Sequence, residues 1–550
     1  MSQPAPKRRK KKSQPPTLSW LGKRPPGLLP PPAAELVEVF EPEAQLHLGF
    51  AGDNLLAPSP QLPHNLLFHG DNRAVLTHLL AHGYRGQVKL IYIDPPYASG
   101  VKWGRKVRLR GPKALTMQTS AENIFGQQEQ YNDQWDDNDY LQFMVDRLPL
   151  LRDLLTEDGS LWLHCDHRKV HHLHILLEEI FGAENYLNTI SWRSQVARGA
   201  KVNAFYFPFS THYIEIFAKK RRTPTTWNLS KRQIILTESE AAREFMRDEY
   251  GFFRTSDPGA YSFASLKALH AEQRLYAPFG GKIVVDEAAQ RIYGSQGGNI
   301  GIKYYLANLG NGKWAVERAI DNLWDDIPGL GTTPGEDLGY PTQKTTALLE
   351  RVIRTASNPG DLVLDCFMGS GTTLAVAQQL GRRWIGCDNN YGAVQTTRRR
   401  LQAKPTKGIP TEHALASFSL YQMAGAAPTS LPPAPNMAHA SLEIARNSQD
   451  ATKIGVEILE YTSPTLLAQL APTRKQGNPA CEQWRAVVDC IAIDPAYDGQ
   501  VFRASVVDAP LRRSDQVAGY YRVTAPAQPT CVAVRITDVL GEELLVTNWV

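Results

Sequence analysis

No two of the six cysteines stand in a C-x-x-C spacing; Cys165, Cys366, Cys387, Cys481, Cys490 and Cys531 are scattered along 550 residues. That excludes a disulfide scaffold and a cysteine zinc site, and no metal is expected. No uninterrupted apolar run approaches the ~18–20 residues that span a bilayer, so no membrane partner is expected. Acidic side chains are missing from the first 33 residues, which carry eight basic ones (Lys7, Arg8, Arg9, Lys10, Lys11, Lys12, Lys23 and Arg24) and nine prolines. The other 52 Lys and Arg face 55 Asp and Glu, so the formal charge of +5 resides in this one segment. It reads as a solvated tail or as a non-specific phosphate-binding arm. No apolar stretch follows the basic run, so a secretory signal is not expected and the setting is taken as cytoplasmic and reducing.

What is present is enough apolar sequence, 42%, to bury a sizeable core. The length implies about three to four units, at roughly 100–200 residues each. Residues 1–42 read as a basic, proline-rich tail. Pro405, Pro410, Pro428, Pro432, Pro433 and Pro435 mark 404–437 as a linker. Short apolar runs separated by turn residues give a β-rich domain at 438–550. Between the breaks lies an α/β pattern. Strands are expected at 88–94, 361–367 and 383–388, each with a carboxylate at or beside its end, where open α/β sheets bind ligands. Helices are expected at about 72–81, 140–155, 169–181, 345–356, 372–379 and 391–401.

Two motifs carry chemistry. In Asp365-Cys-Phe-Met-Gly369-Ser-Gly371-Thr-Thr373 a buried strand meets a glycine turn that opens a helix, and Asp388 ends a strand 23 residues after Asp365. That spacing suits a carboxylate on ribose hydroxyls. Thr-Thr follows Gly371, so no P-loop lysine is present. The second motif is Asp94-Pro95-Pro96-Tyr97, closing the strand VKLIYID. Two prolines stiffen the turn and remove donors. The Asp94 carboxylate and Pro95 carbonyl are then acceptors for an amino group on a flat ring, with Tyr97 to stack on its face.

Together these residues resemble the DNA amino-methyltransferases of the β class, adenine-N6 type, similar to type III modification subunits. The resemblance extends to Phe68-His-Gly-Asp71-Asn72 before the Asp-Pro-Pro-Tyr strand, Asp158-Gly-Ser-Leu-Trp-Leu163 after it, and Tyr340-Pro-Thr-Gln343-Lys344 and Asn358-Pro-Gly-Asp361 before the glycine motif. It covers roughly residues 60–403. It implies a Rossmann-like, circularly permuted α/β methyltransferase sheet: a catalytic part at 43–221, a target-recognition insertion at 222–338 and a cofactor part at 339–403. It implies S-adenosyl-L-methionine as cofactor, with Asp365, Phe367, Gly369 and Gly371 along its methionine end, Asp388 on the ribose, Asp71 at the adenine, and Gln343, Lys344 and Thr345 at the methionine carboxylate. A helix starting at Thr345 would favour that anion. Asp94, Pro95, Pro96 and Tyr97 would hold a base flipped from the duplex. Thr345 stands where the family usually has proline, and Ala98-Ser99 replace the Asn-Thr common in type III subunits.

The implied activity is site-specific methylation of adenine N6 in double-stranded DNA, within a restriction–modification or defence system. The implied partners are a restriction subunit and a second copy of the chain. The alternatives are a cytosine-N4 methyltransferase and an inactive DNA-binding module on the same fold. The insertion offers Trp227, Arg243, Arg247, Arg254, Tyr261, Tyr304 and Tyr305 for base contacts. Lys102, Arg105, Lys106, Arg108, Arg110 and Lys113 form a basic cluster expected to lie on phosphate beside the pocket, with a salt slope of about −5 if all six engage. Two features are discounted: the histidines at 164, 167, 171, 172 and 174 as a metal site, and Asp494-Pro-Ala-Tyr497 as a second base-holding motif.

Overall fold

A computed structural model describes residues 16–27, 29–42, 65–107, 109–111, 127–196, 205–221, 225–228, 231–403, 415–426, 438–466 and 483–550. They divide into two compact units, Leu229–Asp321 and the rest.

The larger unit is built on a sheet of eleven strands: β1 (Ala34–Phe40), β2 (Asn65–His69), β3 (Val88–Ile93), β4 (Leu155–Cys165), β5 (Tyr186–Arg193), β6 (Thr211–Ala218), β7 (Leu323–Trp324), β8 (Leu362–Asp365), β9 (Arg383–Asp388), β10 (Phe418–Met423) and β11 (Phe502–Ala504). Their order is β7-β5-β6-β4-β3-β8-β9-β2-β10-β1-β11. The run β4-β3-β8-β9-β2-β10 is parallel throughout, which makes its strands buried on both faces and apolar in sequence. The helices are α1 (Asn72–Ala81), α2 (Asp137–Val145), α3 (Leu148–Leu154), α4 (Val170–Phe181), α5 (Thr346–Ala356), α6 (Thr372–Gln379) and α7 (Tyr391–Gln402). Helices α1–α4 share one core with Leu66, Phe68, Ile91 and Leu364, while α5 and α6 pack on β3, β8 and β9. The single helix expected at 140–155 is two, since Pro149 enters the first turn of α3.

Three expected boundaries differ from what the structure shows. Residues 34–40 of the tail form β1, because their alternating apolar positions pair antiparallel with β10. The linker at 404–437 contains β10, which joins β2 in parallel. The last residues of the insertion, from Asn322, belong to the larger unit, where β7 adds to β5. In the C-terminal segment, the sheets His439–Arg446/Lys453–Thr462/Tyr520–Thr524 and Val506–Asp508/Val488–Asp494/Cys531–Asp538/Glu543–Trp549 enclose one core. Asp494-Pro-Ala-Tyr497 is a turn there, with Asp494 accepting from the amides of Ala496 and Arg503.

The unit Leu229–Asp321 has a three-stranded sheet, a four-stranded sheet and a hairpin, over small cores around Trp314 and Ile302. Arg254 and Arg274 both lie over the Tyr304 ring, at 5.4 and 5.9 Å. Arg247 pairs with Glu238 and Tyr305 donates to Asp248.

Candidate active site

Four parallel strands deliver carboxylates to one edge of the sheet: Asp71 beyond β2, Asp94 beyond β3, Asp365 closing β8 and Asp388 closing β9. β3 and β8 are neighbours whose onward connections run in opposite directions, to β4 and to β9, which opens a crevice at their carboxyl ends. A cavity of about 650 Å³ lies there, with all four carboxylates on its wall. That volume is in the range of small-molecule sites.

Asp365 shapes the glycine turn. Its Oδ1 accepts from the Phe367 amide at 3.0 Å and its Oδ2 from the Thr373 hydroxyl at 2.6 Å. Gly371 caps α6 at φ +71°, and a Cβ there would come within 2.6 Å of the Thr397 side chain, so only glycine fits. The Gly369 amide donates to Asp388 Oδ2 at 3.0 Å, and the Asn390 amide to Oδ1 at 2.9 Å. Burial pushes Asp365 up to about 7 and Asp388 up to about 6, against the pull of these hydrogen bonds. Asp71 is the N-cap of α1, and its second oxygen accepts from Arg147 at 2.7 Å. Phe367 faces Phe143, whose ring lies 3.5 Å from the Arg147 guanidinium.

At the mouth, Asp94 receives the Tyr97 hydroxyl on Oδ1 and the Lys344 ammonium on Oδ2. Pro96 is on the cavity wall. The Tyr97 ring packs edge-on to His212 at 5.7 Å. Ala98 takes φ +52°, and its amide and that of Ser99 both donate to the buried Asp133, at 3.0 and 2.9 Å. This fixes the turn that follows the prolines.

The element 343–345 departs from expectation. Gln343 lines the cavity but is occupied by backbone, accepting from Leu338 and donating to Glu336. Lys344 holds Asp94. Thr345 lies off the cavity wall, and its buried hydroxyl has no partner among the described residues. The first amide of α5, Thr346, donates to Glu336 at 2.8 Å. The anion at this helix N-terminus is therefore the chain's own glutamate.

The basic cluster is also divided. Lys102 is exposed on the strand Lys102–Lys106, a hairpin with Gln127–Asn132 rather than a loop. Arg105 and Lys106 share that strand, while Arg108 and Lys113 lie outside the described residues. Arg110 does not face solvent: it is buried, donates to Asp489 and to the carbonyls of Arg512 and Asp515, and its neighbours Val107 and Leu109 join the C-terminal β core. Trp227 stacks on Trp162 of β4 at 5.7 Å and lies in the larger unit, not in the unit Leu229–Asp321. The clustered histidines disperse: His174 meets Glu215, His167 stacks on Phe209, and His164 bonds Tyr92 and His212.

Sequence reasoning missed Arg147, Tyr391 and His69. Arg147 and Tyr391 act through partners distant in the chain, Asp71 and Glu543. His69 stood beside Asp71 within the quoted element. Its buried Nε2 has no partner among the described residues and it lies on the cavity wall, against the Tyr391 ring at 5.1 Å.

A switch-point crevice whose glycine turn has no phosphate-holding lysine takes a nucleoside, and this is the arrangement of a Rossmann-like methyltransferase. The model of the DNA methylase family matches residues 88–399, more than half of the sequence, and the chain belongs to that family. Its cofactor is S-adenosyl-L-methionine. The type II methyltransferase M.EcaI of Enterobacter cloacae is 28% identical over 360 residues, 62% of this chain and 70% of that protein. The probable type III restriction-modification enzyme HindVI Mod subunit of Haemophilus influenzae is 25% identical over 386 residues, 59% of this chain and 48% of the subunit. DNA adenine methyltransferase YhdJ of Escherichia coli is 48% identical over 80 residues, 14% of this chain and 27% of that protein. The chain thus spans about half the length of the type III subunit it matches. Among the described residues no helix is long and apolar enough to cross a membrane.

Proposed function

We propose that the chain methylates adenine N6 at specific sites in double-stranded DNA. The observation that carries this reading is that Asp94 and Asp388 share one cavity, so a flipped base and a nucleoside cofactor meet in it. The cavity fits the cofactor: His69 Nε2, unpartnered among the described residues, offers a hydrogen bond to it, and the side-chain-free Gly369 on its wall allows close approach, whereas Gly371 lies off the wall against Thr397. When bound, S-adenosyl-L-methionine supplies the methyl group from its sulfonium. Asp388 accepts from ribose hydroxyls, and Asp71, held by Arg147, marks the adenine end. Asp94 and the Pro95 carbonyl accept the N–H groups of the target amine, which favours a tetrahedral nitrogen and offsets its developing positive charge. The shared cavity would hold the target amine and the methyl donor side by side. Lys344 must yield Asp94 Oδ2 to the base. A restriction subunit, by likeness to the Mod subunits, and a homodimer complete this reading, and mass measurement in solution with and without DNA tests the dimer.

Expression in a methylation-free host followed by single-molecule sequencing tests the activity. N6-methyladenine at one sequence context is the expected result. N4-methylcytosine would transfer the reading to the other amine, and an unmodified genome would defeat it.

Two further outcomes are expected. Asp388→Ala weakens cofactor binding, because the ribose acceptor is lost. In the wild-type protein, affinity falls as pH drops through about 6, since a protonated Asp388 loses acceptor capacity. Calorimetry at pH 5 and 8 checks both, and a pH-independent affinity would remove Asp388 from the ribose. For DNA, Arg110 leaves the phosphate-binding set. Five remaining contacts give a salt slope of about −4.5, at roughly 0.9 per contact, and Arg110→Ala should lower stability rather than the slope.

A further inference from the structure

Methylating an exocyclic amine forms one N–C bond, breaks the S–C bond of the donor, turns the sulfonium into a neutral thioether and leaves the nitrogen one proton in excess. Asp94 is the neighbouring acceptor, and an Asp94 left protonated cannot accept from the next amine. Lys344 carries donors only, so it cannot take the proton on. Tyr97 donates to Asp94, and its hydroxyl is held strongly protonated by burial and by Asp94.

We propose that Tyr92, His164 and His212 form the exit path for this proton, with His212 as its outer terminus. The proposal rests on the reading that Asp94 faces the target amine. Tyr92 stands on the cavity wall. Its hydroxyl is 2.7 Å from His164 Nδ1, and His164 Nδ1 is 4.0 Å from Asp94 Oδ1. His164 is completely buried in β4, and its Nε2 meets His212 Nδ1 at 3.0 Å. His212, second residue of β6, is only half-buried. Two hydrogen bonds thus link Tyr92 on the cavity wall to a partly exposed imidazole, with Asp94 Oδ1 4.0 Å from the first ring. Both rings are held edge-on by Trp192, at 5.7 and 5.9 Å.

Imidazole is the side chain that accepts on one nitrogen while donating from the other. In the outward direction Tyr92 gives its proton to His164 Nδ1, His164 gives its Nε2 proton to His212 Nδ1, and His212 releases its Nε2 proton to solvent. Tyr92 is refilled from the Asp94 side, so one proton leaves per methyl transferred. The charged and titratable groups facing the pair are Tyr92, Asp94, Tyr97, Lys344, His167 and Arg168. Burial and then Lys344 hold both rings neutral, with His212 near 3. No imidazolium charge is then added beside the base while a cationic centre develops on it.

The test is multiple-turnover methylation of genomic DNA from the methylation-free host, using the full chain with labelled methyl donor. His212→Ala is expected to lose on the order of 10²-fold in rate with cofactor affinity unchanged. Added imidazole should restore the rate saturably by filling the vacated site. His212→Gln still accepts from His164 but has no proton to pass on, so it should be as slow as His212→Ala. Wild-type rate in His212→Gln, or a slow His212→Ala that imidazole leaves slow, overturns the proposal. A wild-type protein that methylates nothing refutes the underlying reading instead.

Discussion

Asp94→Ala is expected to lower the methylation rate about 10³-fold or more, roughly 4 kcal/mol of transition-state stabilisation, while cofactor affinity stays at the wild-type value. The target nitrogen is a poor nucleophile because its lone pair is delocalised into the base ring. It becomes reactive only when its N–H groups are drawn toward acceptors, and Asp94 is the charged one at the cavity mouth. Cofactor binding should survive because the two carboxylates are held by separate groups. Asp94 meets Tyr97 and Lys344, whereas Asp388 meets the amides of Gly369 and Asn390. Removing Asp94 therefore leaves the glycine turn intact. Calorimetry with the cofactor, beside methyl incorporation into DNA, separates the effects. Affinity and activity falling together would place Asp94 on the cofactor side and sink the assignment.

The central sheet was legible because parallel strands buried on both faces are continuous apolar runs with punctuated ends. β3 and β9 lie where VKLIYID and RWIGCD put them, and α1 and α6 cover 72–81 and 372–379. Asp94, Asp365 and Asp388 were legible for the same reason, each marking the end of such a run, whereas Asp71 was reached only through the resemblance. What escaped depends on partners distant in sequence. β1 alternates Glu and Val after a stretch of prolines and reads as tail, yet its antiparallel partner is β10, some 380 residues on. Arg110 sits among basic neighbours, and nothing local shows that Asp489 will bury it. Thr345 opens α5 as expected, but the free amides there are met by Glu336, ten residues before Thr346. Charge clusters and helix starts are local signals. Which charge ends buried, and which anion reaches the helix, are decided by tertiary packing.

Glu38→Ala is expected to lower stability by about 3–5 kcal/mol, the cost of leaving buried charge uncompensated. Glu38 is 1% exposed in β1. Its carboxylate accepts from Arg398 at 2.9 Å, from Arg535 at 2.9 Å and from Gln402 at 3.1 Å. Arg398 also meets Glu543, which takes the Tyr391 hydroxyl at 2.8 Å. Two carboxylates and two guanidiniums thus tie β1, α7 and the C-terminal sheet together, and without Glu38 both guanidiniums depend on Glu543 alone. Net stabilities of about 5–15 kcal/mol make that a large fraction. Burial raises the carboxyl of Glu38, but Arg535 and Arg398 outweigh it and hold it below its ordinary value; the same arginines hold Glu543 at about 2. Depressed carboxyls contribute stability that is present above their unfolded value, near 4.5, and lost as pH falls toward the folded one. The gap between wild type and Glu38→Ala should therefore be full at pH 7 and shrink below about pH 4.5, toward the lowered folded value of Glu38, as Glu38 protonates in the wild type. Urea unfolding at pH 7 and at pH 3 measures it. A gap under about 1 kcal/mol at pH 7, or one that does not change with pH, would show that the arginines find compensation elsewhere. Because Tyr391 lies on the cavity wall and hydrogen-bonds Glu543, the same substitution should also weaken cofactor binding, which links the C-terminal sheet to the methyl-donor site through one buried network.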